Sequence, residues 1–236
     1  LYAKNADVQL PLASLTKLLT VYAALSRFSP STPITIPSDV AGLTPPHAFS
    51  PGQVFTLEDL ARITLTASLN DGAAAIAEAT ANDEGVPETA MMASAASGLG
   101  LAQTYALNGN GLDINTAISG GYGSAHDIAV LAGALAKKAP DIALATTKPS
   151  ATAVSQSGIS FAVKNTDPVV LQVPGLLLSK TGYTDLAGGN LALVFDAGLG
   201  HPIAVVVLGS TQDARFTDGQ ALVAATLAHF AGVSSL

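Results

Sequence analysis

The chain has 236 residues, enough for one domain or two unequal lobes around a sizeable core. Apolar residues make up 49% and charged residues only 11%, against about 25% charged in ordinary soluble domains, which excludes intrinsic disorder. A net charge of −7 without any Lys/Arg cluster offers no footprint for nucleic acid or an anionic membrane surface, and the absence of cysteine excludes disulfides, thiolate metal sites and cysteine nucleophiles.

From Ser14 to Arg27 the apolar residues Leu15, Leu18, Leu19, Tyr22, Ala23 and Leu25 lie nearly all round, which predicts a helix buried on most sides. Pro11 precedes it and Ser29-Pro30 closes it. A short strand is predicted over Ile34 to Asp39, and Ser50-Pro51-Gly52 reads as a turn. Helices follow at Leu57 to Thr66 and Asp71 to Ala81, broken at Ser68-Leu69-Asn70, and a further one runs from Pro87 to Leu99. Asn108-Gly109-Asn110-Gly111 is loop chemistry. Ser124 is placed as the N-cap of a helix through Lys138, with Asp127 in the capping-box position.

After Pro149 the pattern changes to short apolar runs with turn residues between them. Ile159 to Lys164, Leu176 to Lys180, Asn190 to Asp196 and Ile203 to Gly209 read as strands, the last two joined as a hairpin by the turn at Ala197 to Gly200. Phe216 to Ala231 is an amphipathic helix. The reading is α+β: an antiparallel sheet flanked by helices plus an all-helical lobe over roughly residues 40–145, within a single domain spanning the chain. Mean hydropathy is +0.44, yet no membrane span is expected. The run Leu191 to Leu208 is interrupted by Asp196, Gly198, Gly200, His201 and Pro202, and Ala221 to Val233 is shorter than the roughly 18 residues a span needs. With neither an initiator Met nor a basic-then-apolar leader, any export signal is taken to be gone or never present.

Three short patterns carry chemistry: Ser14-Leu-Thr-Lys17, Ser68-Leu-Asn70 and Lys180-Thr181-Gly182. Three residues apart on a helix, Ser14 and Lys17 share a face. At the helix start, unpaired N–H groups favour a developing oxyanion. Among Leu15, Leu18 and Leu19, Lys17 loses solvation, and a neutral amine can take the serine proton. The plain alternative is a capping Ser14 with Lys17 snorkelling to solvent. Ser68 and Asn70, displayed on a turn between helices, suit proton relay and amide recognition; alternatively either one caps the next helix. Lys180 and Thr181 at a strand end suit a carboxylate, and Gly182 allows a substrate backbone to approach; the alternative is a solvated strand end. His47, His126, His201 and His229 show no metal-ligand spacing, so neither metal nor cofactor is expected. Glu58, Asp59, Asp83 and Glu84 read as solvated helix-end charges.

Taken together, the three patterns resemble the active-site set of penicillin-binding proteins and serine β-lactamases. Their flanks, Pro11-Leu-Ala-Ser-Leu-Thr-Lys-Leu-Leu-Thr20, Leu65-Thr-Ala-Ser-Leu-Asn-Asp-Gly-Ala73 and Ser179-Lys-Thr-Gly-Tyr-Thr-Asp-Leu-Ala-Gly188, are similar to those of serine-type D-alanyl-D-alanine carboxypeptidases, the low-molecular-mass penicillin-binding proteins. The resemblance implies a penicillin-binding protein fold and an extracytoplasmic hydrolase. It would remove the terminal D-alanine from peptidoglycan stem peptides ending in D-Ala-D-Ala, through an acyl-enzyme that β-lactam antibiotics also form. Ser14 would be the nucleophile, Lys17 the general base, Ser68 the proton relay, and Asn70 the holder of substrate amide and Lys17. Lys180 and Thr181 would bind the carboxylate, with Arg215 nearby; alone, Arg215 reads as a surface cation. The N–H groups of Ser14 and Tyr183 would form the oxyanion hole. Two departures from the family pattern stand out: the sequence starts at Leu1-Tyr-Ala-Lys-Asn5, so one or more strands that the family places before the nucleophile helix are expected to be absent or supplied separately, and the middle of Ser68-Leu-Asn70 is not the usual glycine. The alternatives are a DD-endopeptidase, a β-lactamase, or a catalytically silent module that binds cell-wall peptides.

Overall fold

The computed structural model describes residues 1–198 and 200–232, with the side chain of Ala41 left aside. In chain order the elements are strand β1 (Leu10–Pro11), a 3-10 turn (Ala13–Leu15), helix α1 (Thr16–Arg27), β2 (Pro33–Thr35), a 3-10 turn (Ser38–Gly42), β3 (Val54–Thr56), α2 (Leu57–Ala67), α3 (Asn70–Glu84), α4 (Glu88–Gly98), β4 (Tyr105–Ala106), β5 (Gly121–Gly123), α5 (Ala125–Lys138) and α6 (Pro140–Ala145). The remainder comprises β6 (Ser150–Val154), β7 (Ser160–Lys164), a 3-10 turn (Val170–Gln172), β8 (Leu176–Thr184), β9 (Gly188–Asp196), β10 (Pro202–Ser210) and α7 (Ala214–Phe230).

The main sheet is antiparallel in the order β10-β9-β8. Its middle strand shows why that run is apolar throughout. Side chains alternate along a strand, so Leu191, Leu193 and Phe195 face a cluster with Val205 and α7's Val223. Ala192 and Val194 join the larger core on the other face, with Leu18 and Leu19 of α1 and Ile128 and Leu131 of α5. Helix α1 is buried on most sides, as its sequence predicts. Each fully buried Leu, Val or Phe here contributes about 1.5–3 kcal/mol of transfer free energy. Residues 1–9 form no strand, Leu10–Pro11 pairs with β5, and the outer edge of β10 has no strand neighbour among the described residues.

Several boundaries differ from the sequence reading. The Ser14 segment begins as a 3-10 turn, and the α-helix proper starts at Thr16. The early strand is Pro33–Thr35, paired with β3, and residues 38–42 turn instead. Strand β8 does not stop at Lys180. Pairing of Thr181 with Leu191, Gly182 with Asn190, Tyr183 with Gly189 and Thr184 with Gly188 carries the ladder four residues further. β6 and α6 have weaker patterns and escape the reading; β6 shows its buried face only through Ala151 and Ala153. Short strand pairs, β2–β3 and β4–β5, trim the helical lobe. Ser124 Oγ does accept from Asp127 N at 3.1 Å, but the Asp127 carboxylate turns to Gln103 N and Thr104 Oγ1. Within the hairpin turn Leu199 lies outside the described residues, while Gly198 and Gly200 donate their N–H groups to Asp196. Among the described residues no helix is long and apolar enough to cross a membrane.

Candidate active site

The first pattern sits where the 3-10 turn meets α1. Ala13 adopts a left-handed backbone with φ of 49°, uncommon for a residue with a Cβ. Its carbonyl oxygen packs so closely on Gly111 that a Cβ at residue 111 would overlap it. Ser14 caps nothing, since the N-cap of α1 is Leu15 with no side-chain bond. Its hydroxyl Oγ lies 2.7 Å from Lys17 Nζ. Lys17 is fully buried, so the snorkelling alternative is excluded. Its Nζ donates to Asn70 Oδ1 at 2.8 Å and to the Asn110 carbonyl at 2.6 Å. Burial drives the Lys17 ammonium from 10.5 down to about 7, against the opposing pull of the Asp71 carboxylate.

This geometry decides what Lys17 can do. A neutral amine has two hydrogens and one lone pair. Two of its three neighbours are carbonyl oxygens, which only accept; the third is a hydroxyl, which can donate. The two hydrogens therefore go to Asn70 and Asn110, and the lone pair faces the Ser14 O–H. A proton can pass from Oγ to Nζ with no rearrangement.

The second pattern lies between α2 and α3. Ser68 ends α2 in a left-handed conformation, φ 59° and ψ 36°, which turns the chain sharply. Neither Ser68 nor Asn70 caps α3, whose N-cap Leu69 has no side-chain bond. Asn70 is fixed from outside, its Nδ2 donating to Thr44 O and its backbone N to Pro46 O, each at 2.7 Å.

Lys180 and Thr181 stand within β8, not at its end, and both are buried. Lys180 Nζ donates to Ser68 Oγ at 2.8 Å and to Thr181 O at 2.7 Å, which ties the third pattern to the second. Burial, then Lys17, then Arg215 push the Lys180 ammonium well below the ordinary lysine value. The close approach at Gly182 is made by the chain itself: a Cβ there would come 2.9 Å from Leu12 O and 3.3 Å from Ser14 N. The glycine thus lets β8 lie against Leu12–Leu15. Tyr183 follows, half exposed. Arg215 is no surface cation but only 7% exposed; its Nη1 donates to Gly182 O at 2.6 Å, and its Nε has no partner among the described residues.

The structure therefore brings the three patterns together where α1, the α2–α3 turn and β8 meet: Lys17 links Ser14 to Asn70, Lys180 reaches Ser68, Gly182 lies against Ser14 and receives Arg215, and Tyr183 is the next residue of β8. Two participants escape the sequence reading. Asn110 acts through its backbone carbonyl, so no residue-type signal marks it. Thr166 places its hydroxyl 2.6 Å from that of Thr181, from a connecting segment with no motif of its own.

The sequence profile of the D-alanyl-D-alanine carboxypeptidases, peptidase family S11, matches residues 1–212. The chain belongs to this family. Among S11 relatives, it is 33% identical over 192 residues to the D-alanyl-D-alanine carboxypeptidase DacB2 of Mycobacterium tuberculosis, covering 79% of this chain and 62% of that one. It is 28% identical over 237 residues to DacA of Escherichia coli, covering 93% and 55%. The chain thus spans less than two thirds of the length of these relatives. Among solved structures it superimposes on a D-alanyl-D-alanine carboxypeptidase from M. tuberculosis H37Rv with a TM-score of 0.79 at 25% identity, covering 100% of this chain and 86% of that one. Penicillin-Binding Protein D2 of Listeria monocytogenes, in its cefotaxime-bound form, gives a TM-score of 0.76 at 25% identity, covering 95% and 90%. The α+β fold is that of the penicillin-binding proteins.

Proposed function

We propose that this chain forms one catalytic domain of an S11 DD-carboxypeptidase, releasing the terminal D-alanine of peptidoglycan stem peptides outside the cytoplasm. One observation carries the reading: the fully buried Lys17 amine, 2.7 Å from Ser14 Oγ, has both its hydrogens engaged by carbonyl oxygens. Family membership and the names of its relatives support the substrate class.

The reaction runs as follows. Lys17 takes the Ser14 proton as Oγ attacks the carbonyl carbon of the penultimate D-alanine. The Ser14 and Tyr183 N–H groups stabilise the oxyanion. As the C–N bond breaks, the proton taken up by Lys17 passes by way of Ser68, in contact with Lys180, to the leaving amine, which leaves Lys17 neutral again. Asn70 holds Lys17 and the substrate amide. The terminal carboxylate is bound by Lys180 and Thr181 of β8, with Arg215 behind them on the Gly182 carbonyl. Burial holds the pKa values of Lys180 and Arg215 down, and the nearby Lys17 and Arg215 lower that of Lys180 further, so an entering anion favours the charged form of both. Water then hydrolyses the Ser14 ester, returning the serine and the shortened peptide. A β-lactam acylates Ser14 by the same first step, its ring opening in place of amine departure.

The test is release of D-alanine from an N-acylated Lys-D-Ala-D-Ala peptide, with none expected from Ser14→Ala. Release that persists in Ser14→Ala, or no release from the parent, would remove the reading.

A further inference from the structure

Asp71 follows Asn70 in the first turn of α3 and has no exposed surface. Among the described residues no Lys, Arg or His pairs with it. Its carboxylate accepts only backbone N–H groups: Ala48 and Phe49, each at 2.7 Å on Oδ2, and Gly72 at 2.8 Å on Oδ1. Taking a carboxylate out of water is costly unless its oxygens are hydrogen-bonded. Here both oxygens are engaged, and the bonds to Ala48 and Phe49 staple a segment without regular structure to the start of α3.

The far side of that segment holds Asn70. The Thr44 and Pro46 carbonyls accept the Asn70 Nδ2 and backbone N. With Nδ2 committed to Thr44, only Oδ1 can face Lys17, at 2.8 Å. An amide free to rotate would present its N–H groups to the lysine instead, and the lone pair of Lys17 would lose its aim at Ser14. Phe49 anchors the segment's end, its ring 5.0 Å from Phe55 and 5.4 Å from Phe161.

We propose that Asp71 is a positioning residue of this site: by holding the Ala48 and Phe49 amides it fixes Thr44 and Pro46 against Asn70, and through Asn70 it aims Lys17 at Ser14. The proposal rests on reading Lys17 as the base of Ser14. The same carboxylate is the buried negative charge that favours a protonated Lys17. Around α1, its own Arg27 pairs with Asp83 of α3, and Glu78 and Glu84 lie two and more turns further along that helix from Asp71. Glu88 of α4 accepts from Gly109 N, and Asp127 of α5 accepts from Gln103 N and Thr104 Oγ1. Arg62 pairs with Asp59 on α2, Lys138 of α5 lies over Tyr22, Lys180 comes from β8, and Arg215 of α7 lies beyond it.

The experiment compares the parent chain with Asp71→Asn and Asp71→Ala by three readings. They are the titration of Lys17 followed by NMR of 13C-labelled lysine, the solvent exchange of the Asn70 side-chain amide, and the rate of acylation by benzylpenicillin. Asp71→Asn keeps the size and one acceptor but loses the charge and one bond. Its Lys17 midpoint should fall by roughly half a pH unit or more, and the Asn70 amide should exchange about tenfold faster. Acylation on the alkaline plateau should slow about tenfold in Asp71→Asn and about 100-fold in Asp71→Ala. A role confined to stability would lower the melting temperature and leave the Lys17 midpoint in place. If Asp71→Ala does not fold, Asp71→Asn carries the test. An unmoved midpoint or unchanged Asn70 exchange in Asp71→Asn overturns the proposal. If the parent is not acylated but both NMR readings move, the chemistry assigned to Ser14 and Lys17 fails and the role of Asp71 in holding Asn70 and Lys17 stands.

Discussion

Lys17 is the residue on which burial, hydrogen bonding and charge all act at once. Its environment is dry, two carbonyl oxygens and one hydroxyl saturate its amine, and Asp71 only partly offsets the cost of charging it. This has a consequence for stability. The folded value near 7 lies below the ordinary 10.5, so the unfolded chain binds more protons between these limits. The contribution of Lys17 to stability is therefore smallest below pH 7 and grows as pH rises toward 10.5. Lys17→Met removes the titrating group at similar volume. The difference in melting temperature, parent minus variant, should increase from pH 7 to pH 10 in scanning calorimetry. A difference that stays constant or shrinks would contradict the burial-driven shift.

At the level of elements, the site is made by contact between a strand and a strained turn. β8 lies against Leu12–Leu15 because Gly182 has no side chain. Gly182→Ala should push β8 away from the nucleophile by a few tenths of an ångström or more and slow acylation by roughly 10–100-fold. The melting temperature should drop only modestly, and an unchanged rate would show that this contact does not set the geometry. The same contact marks a limit of sequence reading. Ser14, Lys17, Ser68, Asn70, Lys180 and Thr181 are legible because they stand in short patterns of residue types suited to acyl-transfer chemistry. That Gly182 serves packing within the chain was not legible, because it depends on a segment nearly 170 positions earlier in the sequence (Leu12–Ser14). Asn110 escaped for a related reason: a backbone carbonyl leaves no trace in residue type. Helix α1 and strand β9 could be read from their apolar runs, while β6 and α6 are too short for periodicity to assert itself. Arg215 looked like a surface charge because nothing local announces the Gly182 carbonyl that receives it.

For the whole molecule, the fold brings three separated stretches of chain together and buries two lysines among them. Such burial costs stability and is retained where the amines are needed in an altered protonation state. If an uncharged Lys17 activates Ser14, acylation must follow the loss of the Lys17 proton. The most direct test is the rate of benzylpenicillin acylation as a function of pH, followed by intact-mass spectrometry with the adduct located by peptide mapping. One adduct is expected, on Ser14, its formation rising through a midpoint near pH 7, the value for Lys17, and about 100-fold slower at pH 5 than on the plateau. An adduct elsewhere, no adduct, or a rate independent of pH between 5 and 9 would contradict this activation of Ser14 by Lys17.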